Sequence, residues 1–328
     1  MNGRSVRLLL IAACVVMFPL RLPAPLVFTP GEGWTYEPVG GEGKWQRTRA
    51  KDQLDVAQAA FDQKDYNLAL KAARRVVAMW PLSDYAPRAQ YLAGRCYEAK
   101  HNDERAFREY QKILEKYPKS ENVKDVLQRQ YEIANRYLGG QRFKLWGYLP
   151  WFRSMDKTAE MFEKIVASGP YSDVAPQAQM KAGAAREKQA HYPEAVKAYE
   201  LAADRYHDRP QVAADALFKA ALAYQHQAAT VEYDQNTAAQ AIATLTDFMT
   251  LYPDDPRVAE GQKIIAALKR EQAHGSFNIA AYYEKNRKWD GALVYYNEAL
   301  LQDPNSPYAT EARQRLDAIK KRVQPAGK

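Results

Sequence analysis

Residues Gly94–Pro118 read GRCYEAKHNDERAFREYQKILEKYP. Gly94 and Ala106 stand twelve residues apart, Tyr110 follows Ala106 by four, and Pro118 follows Ala106 by twelve. A small residue followed by a bulky one at i+4 puts both on one face of a helix. The small residue lets a neighbouring backbone approach and the bulky one fills the space beside it. The stretch therefore reads as two helices touching at their small residues.

Working outward, the pattern repeats. Pro81, Pro118, Pro170, His207, Pro253 and Pro304 close successive helices, usually after an aromatic residue as in MWP, KYP and LYP, at spacings of 37, 52, 37, 46 and 51 residues. The first sets a base period of 37, and the four later ones fit it with insertions of 15, 0, 9 and 14 residues. Twelve residues before the anchors stand Ala69, Ala106, Thr158, Ala195, Ala241 and Ala292, each followed at i+4 by Ala73, Tyr110, Phe162, Tyr199, Leu245 or Tyr296. A second small residue precedes most of these: Ala57, Gly94, Gly183, Ala220 or Ala280. Two residues after the anchors come Ser83, Ser120, Ser172, Asp255 and Ser306, which the spacing predicts as helix N-caps in register.

A period in this range with Gly, Tyr, Ala, aromatic and Pro signposts is the tetratricopeptide signature. The expected fold class is all-α: a tetratricopeptide-type α-solenoid of about six helical hairpins over residues 50–304, with a C-terminal capping helix at about 306–323. The solenoid as a whole is assigned to 50–324, with an aromatic insertion at 139–155 and a polar tail at 325–328.

Composition agrees. The chain has 328 residues, 47% hydrophobic and 26% charged, with its apolar letters mostly Ala and Tyr, which suits helices better than Val/Ile-rich strands. Its net charge of +8 includes Arg4, Arg7 and Arg21. Those three belong to an export signal expected over residues 1–24, and the remaining +5 is too mild and too mixed with acids for nucleic-acid binding. The apolar run Leu8–Leu20 is shorter than the ~20 residues a helix needs to span a bilayer. IAAC at Ile11–Cys14 resembles a lipobox, which leaves lipidation of Cys14 as the alternative to a cleavable signal. Residues 25–49, rich in Gly and Pro, read as an extended lead-in with no strand before their glycines and so no phosphate loop.

No catalytic pattern emerges. The five His fall in different units, Cys96 sits on a packing face, and the carboxylates alternate with Lys and Arg at solvated helical spacings. Neither a metal nor a cofactor is expected, and neither is an enzyme. A solenoid offers surface instead: its first helices line a groove suited to an extended peptide. Carried onto this chain, the groove positions of the tetratricopeptide pattern are Leu54, Gln58, Phe61, Arg88, Tyr91, Arg95 and Glu98, followed in the third unit by Gln128, Glu132, Asn135 and Arg136. The insertion carries Phe143, Trp146, Tyr148, Trp151 and Phe152 among Arg and Lys. That composition suits a packed plug, a contact with a protein partner, or a contact with a membrane interface.

Export signal, lipobox and hairpins punctuated by YPxS together resemble the BamD-like outer-membrane assembly factors over about residues 50–320. The segment AYYEKNRKWDGALVYYNEALLQDP resembles that family's last repeat. The resemblance implies a non-enzymatic scaffold in the periplasm at the inner face of the outer membrane. Its N-terminal groove would receive unfolded outer-membrane proteins, and its C-terminal repeats would dock the barrel assembly component. The alternatives are a periplasmic adaptor of Tol–Pal or cell-wall coordination, and the solenoid of a cell-wall hydrolase system.

Overall fold

The computed structural model describes residues 26–31, 33–36, 44–145, 149–230 and 235–323. The signal expected over 1–24, Cys14, Trp146, Tyr148 and the tail at 325–328 lie outside the described residues. Among those described, helices pair as hairpins: α1 (Ala50–Asp62) with α2 (Tyr66–Met79), α3 (Ala86–Ala99) with α4 (Asp103–Lys116), and α5 (Val123–Leu138) with α6 (Met155–Ser168). There follow α7 (Ala175–Glu187) with α8 (Tyr192–Arg205), α9 (Pro210–Thr230) with α10 (Gln235–Leu251), and α11 (Val258–Lys285) with α12 (Trp289–Gln302). Helix α13 (Pro307–Val323) closes the series. The fold is the expected all-α tetratricopeptide solenoid of six hairpins and a capping helix. The chain divides into two compact units, residues 1–123 and 124–328.

In both units the hairpins are built on the small-residue seam. Ala69, Ala106, Thr158, Ala195, Ala241 and Ala292 are all buried, as are the residues four further on. Gly94 packs beneath the ring of Tyr110, and Gly183 packs beneath Tyr199 so closely that an added Cβ would stand 2.5 Å from Cε1. The Tyr hydroxyls then reach back twelve residues to the first helix: Tyr110 donates to Glu98 (2.6 Å), Tyr199 to Glu187 (3.0 Å) and Tyr296 to Glu284 (2.6 Å). Burial and the adjacent Glu187 push the Tyr199 phenol up, so it stays a donor.

The turn inside four of the hairpins is equally regular. Lys64, His101, Ala190 and Arg287 all have positive φ, and the next amide bonds five residues back, as Asp65 does to Ala60 (2.9 Å) and Asn102 to Tyr97 (2.8 Å). This is the Schellman closure of a helix C-terminus. Asp65 and Asn102 then cap the following helix, accepting from the amides of Leu68 (3.0 Å) and Arg105 (3.4 Å).

The turns between hairpins correct one expectation. Ser83 and Ser172 do not cap with their side chains, and Ser120 and Asp255 accept only from the amide two residues on, Asn122 (3.3 Å) and Arg257 (2.9 Å), ahead of the helix. Their amides donate back to the residue before the anchor and their carbonyls accept from the first residue of the next helix, as in Ala86 to Ser83 (3.1 Å) and Ala175 to Ser172 (3.2 Å). Two successive backbone turns thus satisfy the linker, and the helix starts too late for the Ser hydroxyl to reach it. Ser306 alone of the five caps as expected, accepting from the Ala309 amide (3.1 Å). The aromatic residue of the anchor also has a role: Tyr117 donates to the Pro81 carbonyl and Tyr206 to that of Pro170, each at 3.0 Å, tying one repeat to the last.

The lead-in is also corrected. Strand β1 (Leu26–Thr29) pairs antiparallel with β2 (Gly33–Tyr36), so a strand does precede its glycines. Gly31, at φ 83°, turns the ribbon and accepts from the Asp84 amide (2.8 Å). Further on, buried Gln53 holds the segment before α1, donating to the Trp45 carbonyl (3.2 Å) and accepting from the Arg47 amide (2.8 Å). Insertions resolve in two ways. Those of 9 and 14 residues lengthen helices, giving α9 21 residues and α11 28. The one of 15 residues contains a second ribbon, β3 (Phe143–Leu145) with β4 (Leu149–Phe152), between α5 and α6.

A buried carboxylate joins the first two hairpins. Glu109 on α4 accepts from Gln90 (2.6 Å) on α3, Lys112 (2.9 Å) and Arg74 (3.3 Å) on α2. Burial pushes its pKa up, but the hydrogen bonds from Lys112, Gln90 and Arg74 outweigh this and hold it below the ordinary value of 4.5. A depressed folded pKa contributes stability above the unfolded value, and that contribution drains as pH falls through the folded one. Glu109→Gln is expected to flatten the loss of thermal stability just below pH 4.5, read from melting curves across that range. Separately, Gly183→Ala drives a Cβ into Tyr199 and is expected to cost about 1–3 kcal/mol in urea unfolding. Gly261→Ala, whose Cβ would meet Leu245 at an ordinary 3.6 Å, is expected to cost nothing.

Candidate functional site

With one face of each hairpin consumed by the seam, the opposite face of the first helices is what remains for a ligand. In the second unit, Tyr131 on α5, Gln177, Met180 and Lys181 on α7, and Asp215 and Lys219 on α9 line an open groove of about 480 Å3. Tyr131 donates to Gln177 Oε1 (3.0 Å), and its ring meets Phe162 edge-on at 5.9 Å. Asp215 is engaged by Lys219 (2.9 Å) and Arg257 (2.9 Å). Arg257 also binds Asp255 (2.8 Å) while lying against the rings of Phe218 (5.0 Å) and Phe248 (5.5 Å). The groove therefore presents a phenol, an amide, a thioether and the Lys181 ammonium, a mixture able to follow an extended backbone with tolerance for its side chains.

In the first unit the structure brings three of the expected residues together. Arg95 on α3 lies over the rings of Phe61 (5.6 Å) and Tyr91 (5.9 Å), and its Nη1 donates to the Tyr91 hydroxyl (3.3 Å). Glu98 stands one turn further along, accepting from Tyr110. Leu54 packs on the hairpin core, Gln58 donates to Asp62 (2.8 Å), and Arg88 pairs with Glu121 (2.8 Å) near the turns at Pro81 and Pro118. On α5, exposed Gln128 donates to Glu132 (3.0 Å), Arg136 is exposed, and Asn135 gives its carbonyl to the Gly139 amide. The groove residue on that helix is Tyr131, at a helical phase the sequence left open because α5 lacks a Gly or Ala at the repeat offset.

A relation between the two units identifies the α7 residues of the groove. SDYAPRAQYLAG at 83–94 returns as SDVAPQAQMKAG at 172–183, an offset of 89 residues. Gln90 and Gln179 make the same bond across their hairpins, to the carbonyls of Glu109 (3.2 Å) and Ala198 (3.0 Å). By the same offset Arg88, Tyr91 and Arg95 correspond to Gln177, Met180 and Ala184. An internal alignment of the two stretches would have pointed to Gln177 and Met180 from the sequence alone.

The aromatic insertion is packed at its base. Phe143 is buried, stacked on Tyr137 (4.1 Å) and beside Phe152 (5.9 Å), with Lys157 Nζ over both rings at 5.3 and 4.7 Å. Arg153 ties the ribbon to α5 by donating to the Gly140 carbonyl (2.9 Å). Trp151 contributes its backbone to β4, and Trp146 and Tyr148 lie outside the described residues. Among the described residues no group of His, Cys, Asp and Glu is gathered to hold a metal ion, and no helix is long and apolar enough to cross a membrane. Cys96 is buried, and burial pushes its thiol up to about 11.

Repeats, seam and first-helix surface define a tetratricopeptide-repeat protein, and a tetratricopeptide repeat model matches residues 88–120. Within that class the chain is similar to the YfiO family, described as outer membrane lipoprotein, whose model matches residues 153–303. Comparison with curated proteins finds no match. Among solved structures, the C-terminal part of a TPR repeat-containing protein from Cytophaga hutchinsonii is 16% identical, with 80% of this chain and 87% of that one covered and a TM-score of 0.33. The TPR-like repeats of a putative kinesin light chain from Podosopora anserina give 16% identity, 64% and 97% coverage and a TM-score of 0.31. The apo form of RapI gives 13%, 84% and 86%, and 0.30. At these TM-scores the likenesses carry no argument about function.

Because Phe143 fills the space against Tyr137, Phe143→Ala is expected to lower stability by about 3 kcal/mol in denaturant unfolding. Tyr282→Ala, whose ring is 64% exposed on α11, is expected to cost under about 0.5 kcal/mol.

Proposed function

We propose that this chain is a non-enzymatic scaffold of outer-membrane β-barrel protein assembly, held in the periplasm at the inner face of the outer membrane. It binds extended, unfolded outer-membrane polypeptides along the faces of its first helices and the barrel assembly component through its C-terminal repeats. The observation that carries this reading is a coincidence of position. The match to an outer membrane lipoprotein family, residues 153–303, spans most of the hairpins whose first helices line the groove at Gln177, Met180 and Lys181.

The groove chemistry supports an unfolded client. Transmembrane barrel strands alternate apolar and polar side chains, so a site for many of them must hold the backbone and tolerate the rest. A thioether, a phenol and an amide do that with little steric selection. An export signal over residues 1–24, or a lipid on Cys14, would deliver and tether the chain. The insertion at 139–155, whose Trp146 and Tyr148 lie outside the described residues, is the segment proposed to reach a partner or the inner leaflet.

A photoreactive phenylalanine analogue at Gln177 in intact envelopes is expected to capture nascent outer-membrane proteins. Affinity isolation from the same envelopes is expected to recover the barrel assembly component. Recovery of Tol–Pal components without it would sink the proposal in favour of an adaptor of cell-wall coordination.

A further inference from the structure

Several cations on this surface stand beside carboxylates: Arg88 pairs with Glu121 (2.8 Å), Lys124 with Asp173 (2.8 Å) and Arg315 with Glu311 (3.3 Å). The end of the last hairpin departs from that habit. Lys285, Arg287 and Lys288 run from the last residue of α11 through the turn to α12, and Lys320, Lys321 and Arg322 stand in the last turn of α13. Arg322 lies over the Trp289 ring (6.0 Å), and Ile319 and Trp289 share one apolar cluster, so the two groups of cations meet at one end of the hairpin. All six are exposed, and among the described residues none of them forms an ion pair. Glu284, the acid that precedes them, is occupied by Tyr296 (2.6 Å) and Arg315 (3.6 Å).

Helix stability does not account for them. A cation near a helix C-terminus is favoured by the dipole, which covers Lys285 and the three on α13. Lys288 is at the opposite pole. It is the N-cap of α12, makes no side-chain hydrogen bond there, and holds the place where Asp65 and Asn102 cap α2 and α4. The turn thus forgoes a cap and sets a positive charge against the positive end of a helix. Beside the cations, Tyr282 is 64% exposed and meets the Tyr283 ring edge-on at 6.0 Å. Lysine predominates among the six, and lysine is depleted from protein–protein interfaces, where the planar fork of arginine fixes a partner's geometry. Flexible ammonium groups beside an exposed phenol suit a plane of phosphates whose positions shift. We propose that this end of the last hairpin is a docking surface for an anionic membrane, with its cations among phosphate-bearing lipid headgroups and Tyr282 at the interface. The inference rests on the reading of the chain as held at a membrane face, and adds to it a surface that meets that membrane.

Cosedimentation of the full chain with vesicles tests it, comparing phosphatidylethanolamine–phosphatidylglycerol mixtures with pure phosphatidylcholine. Partition onto the anionic vesicles is expected to be stronger by more than about a hundredfold at low salt, a preference that shrinks as salt is added. The combined variant Lys285→Gln, Arg287→Gln and Lys288→Gln is expected to lose about a hundredfold of that partition at unchanged melting temperature. A control that removes the same charge from exposed positions earlier in α11, Lys263→Gln, Lys269→Gln and Arg270→Gln, is expected to keep nearly all of it. Tyr282→Ala is expected to weaken binding to anionic vesicles severalfold, including at high salt, where the cations are screened. Equal partition onto the two vesicle types, or a loss in the control that matches the combined variant, overturns the membrane surface. So does binding of polyglutamate that the combined variant loses while vesicles show no preference, which assigns this end to an acidic polypeptide instead. Capture of polypeptides at Gln177 is read separately, so loss of vesicle preference with capture intact fails the membrane surface and leaves the assembly reading standing.

Discussion

Everything in this chain depends on two helices being allowed to come unusually close. A helix pair separated by ordinary side chains leaves room for no ring between them. A glycine or alanine on the first helix, set beneath a tyrosine on the second, removes that separation and fills what is left with one large planar group. Tyr199 over Gly183 shows the tightness of the fit. The same geometry puts the phenol within reach of a carboxylate one turn further along the first helix, as with Glu98, Glu187 and Glu284. One contact therefore packs the hairpin and satisfies the hydroxyl at that point, which matters because a buried hydroxyl left unpaired costs about 1–3 kcal/mol.

The seam fixes what can vary. A hairpin cannot bury its apolar stripe alone, so each must lean on the next, and the residues at those junctions are bound by volume and by hydrogen bonds. The Gln90 and Gln179 amides lie on the packed side, where they satisfy backbone carbonyls, and the Tyr117 and Tyr206 hydroxyls do the same at the turns. Positions on the far face of the first helices escape these constraints. That division is why arginine and tyrosine at 88, 91 and 95 can become glutamine, methionine and alanine 89 residues later while the hairpin geometry stays the same.

Much of this was legible in the letters. Small residues at fixed offsets are a direct imprint of helix contact, and no other packing would place Ala69, Ala106, Ala195, Ala241 and Ala292 twelve residues before a chain-turning proline or its histidine stand-in. Turn chemistry was less legible. Ser83 and Ser172 carry the composition of an N-cap, yet two backbone turns occupy the linker, and only geometry reveals that the helix begins beyond the hydroxyl's reach. The first ribbon was hidden for a related reason: glycine and proline in GEGWTYEP signal a change of direction but not whether the arms on either side pair. The groove of the second unit was half-legible. Its α5 member, Tyr131, has no signpost, whereas Gln177 and Met180 were recoverable from the internal copy.

The insertions test the same logic from another side. Extra residues rich in Ala and Gln, as in QHQAATVEYDQNTAAQ, have high helix propensity and carry no groups that demand burial, so the flanking helices are long. The insertion after α5 opens with two glycines, which end a helix, and follows them with aromatic residues, which must find a surface. It folds back as a ribbon whose base, Phe143 and Phe152, is clamped by Tyr137 and the Lys157 ammonium. Two aromatic residues of what looked like one undivided motif, Phe143 and Phe152, are thus accounted for. They are consumed by packing, which rigidifies the ribbon and sets the direction in which the chain leaves and re-enters the third hairpin.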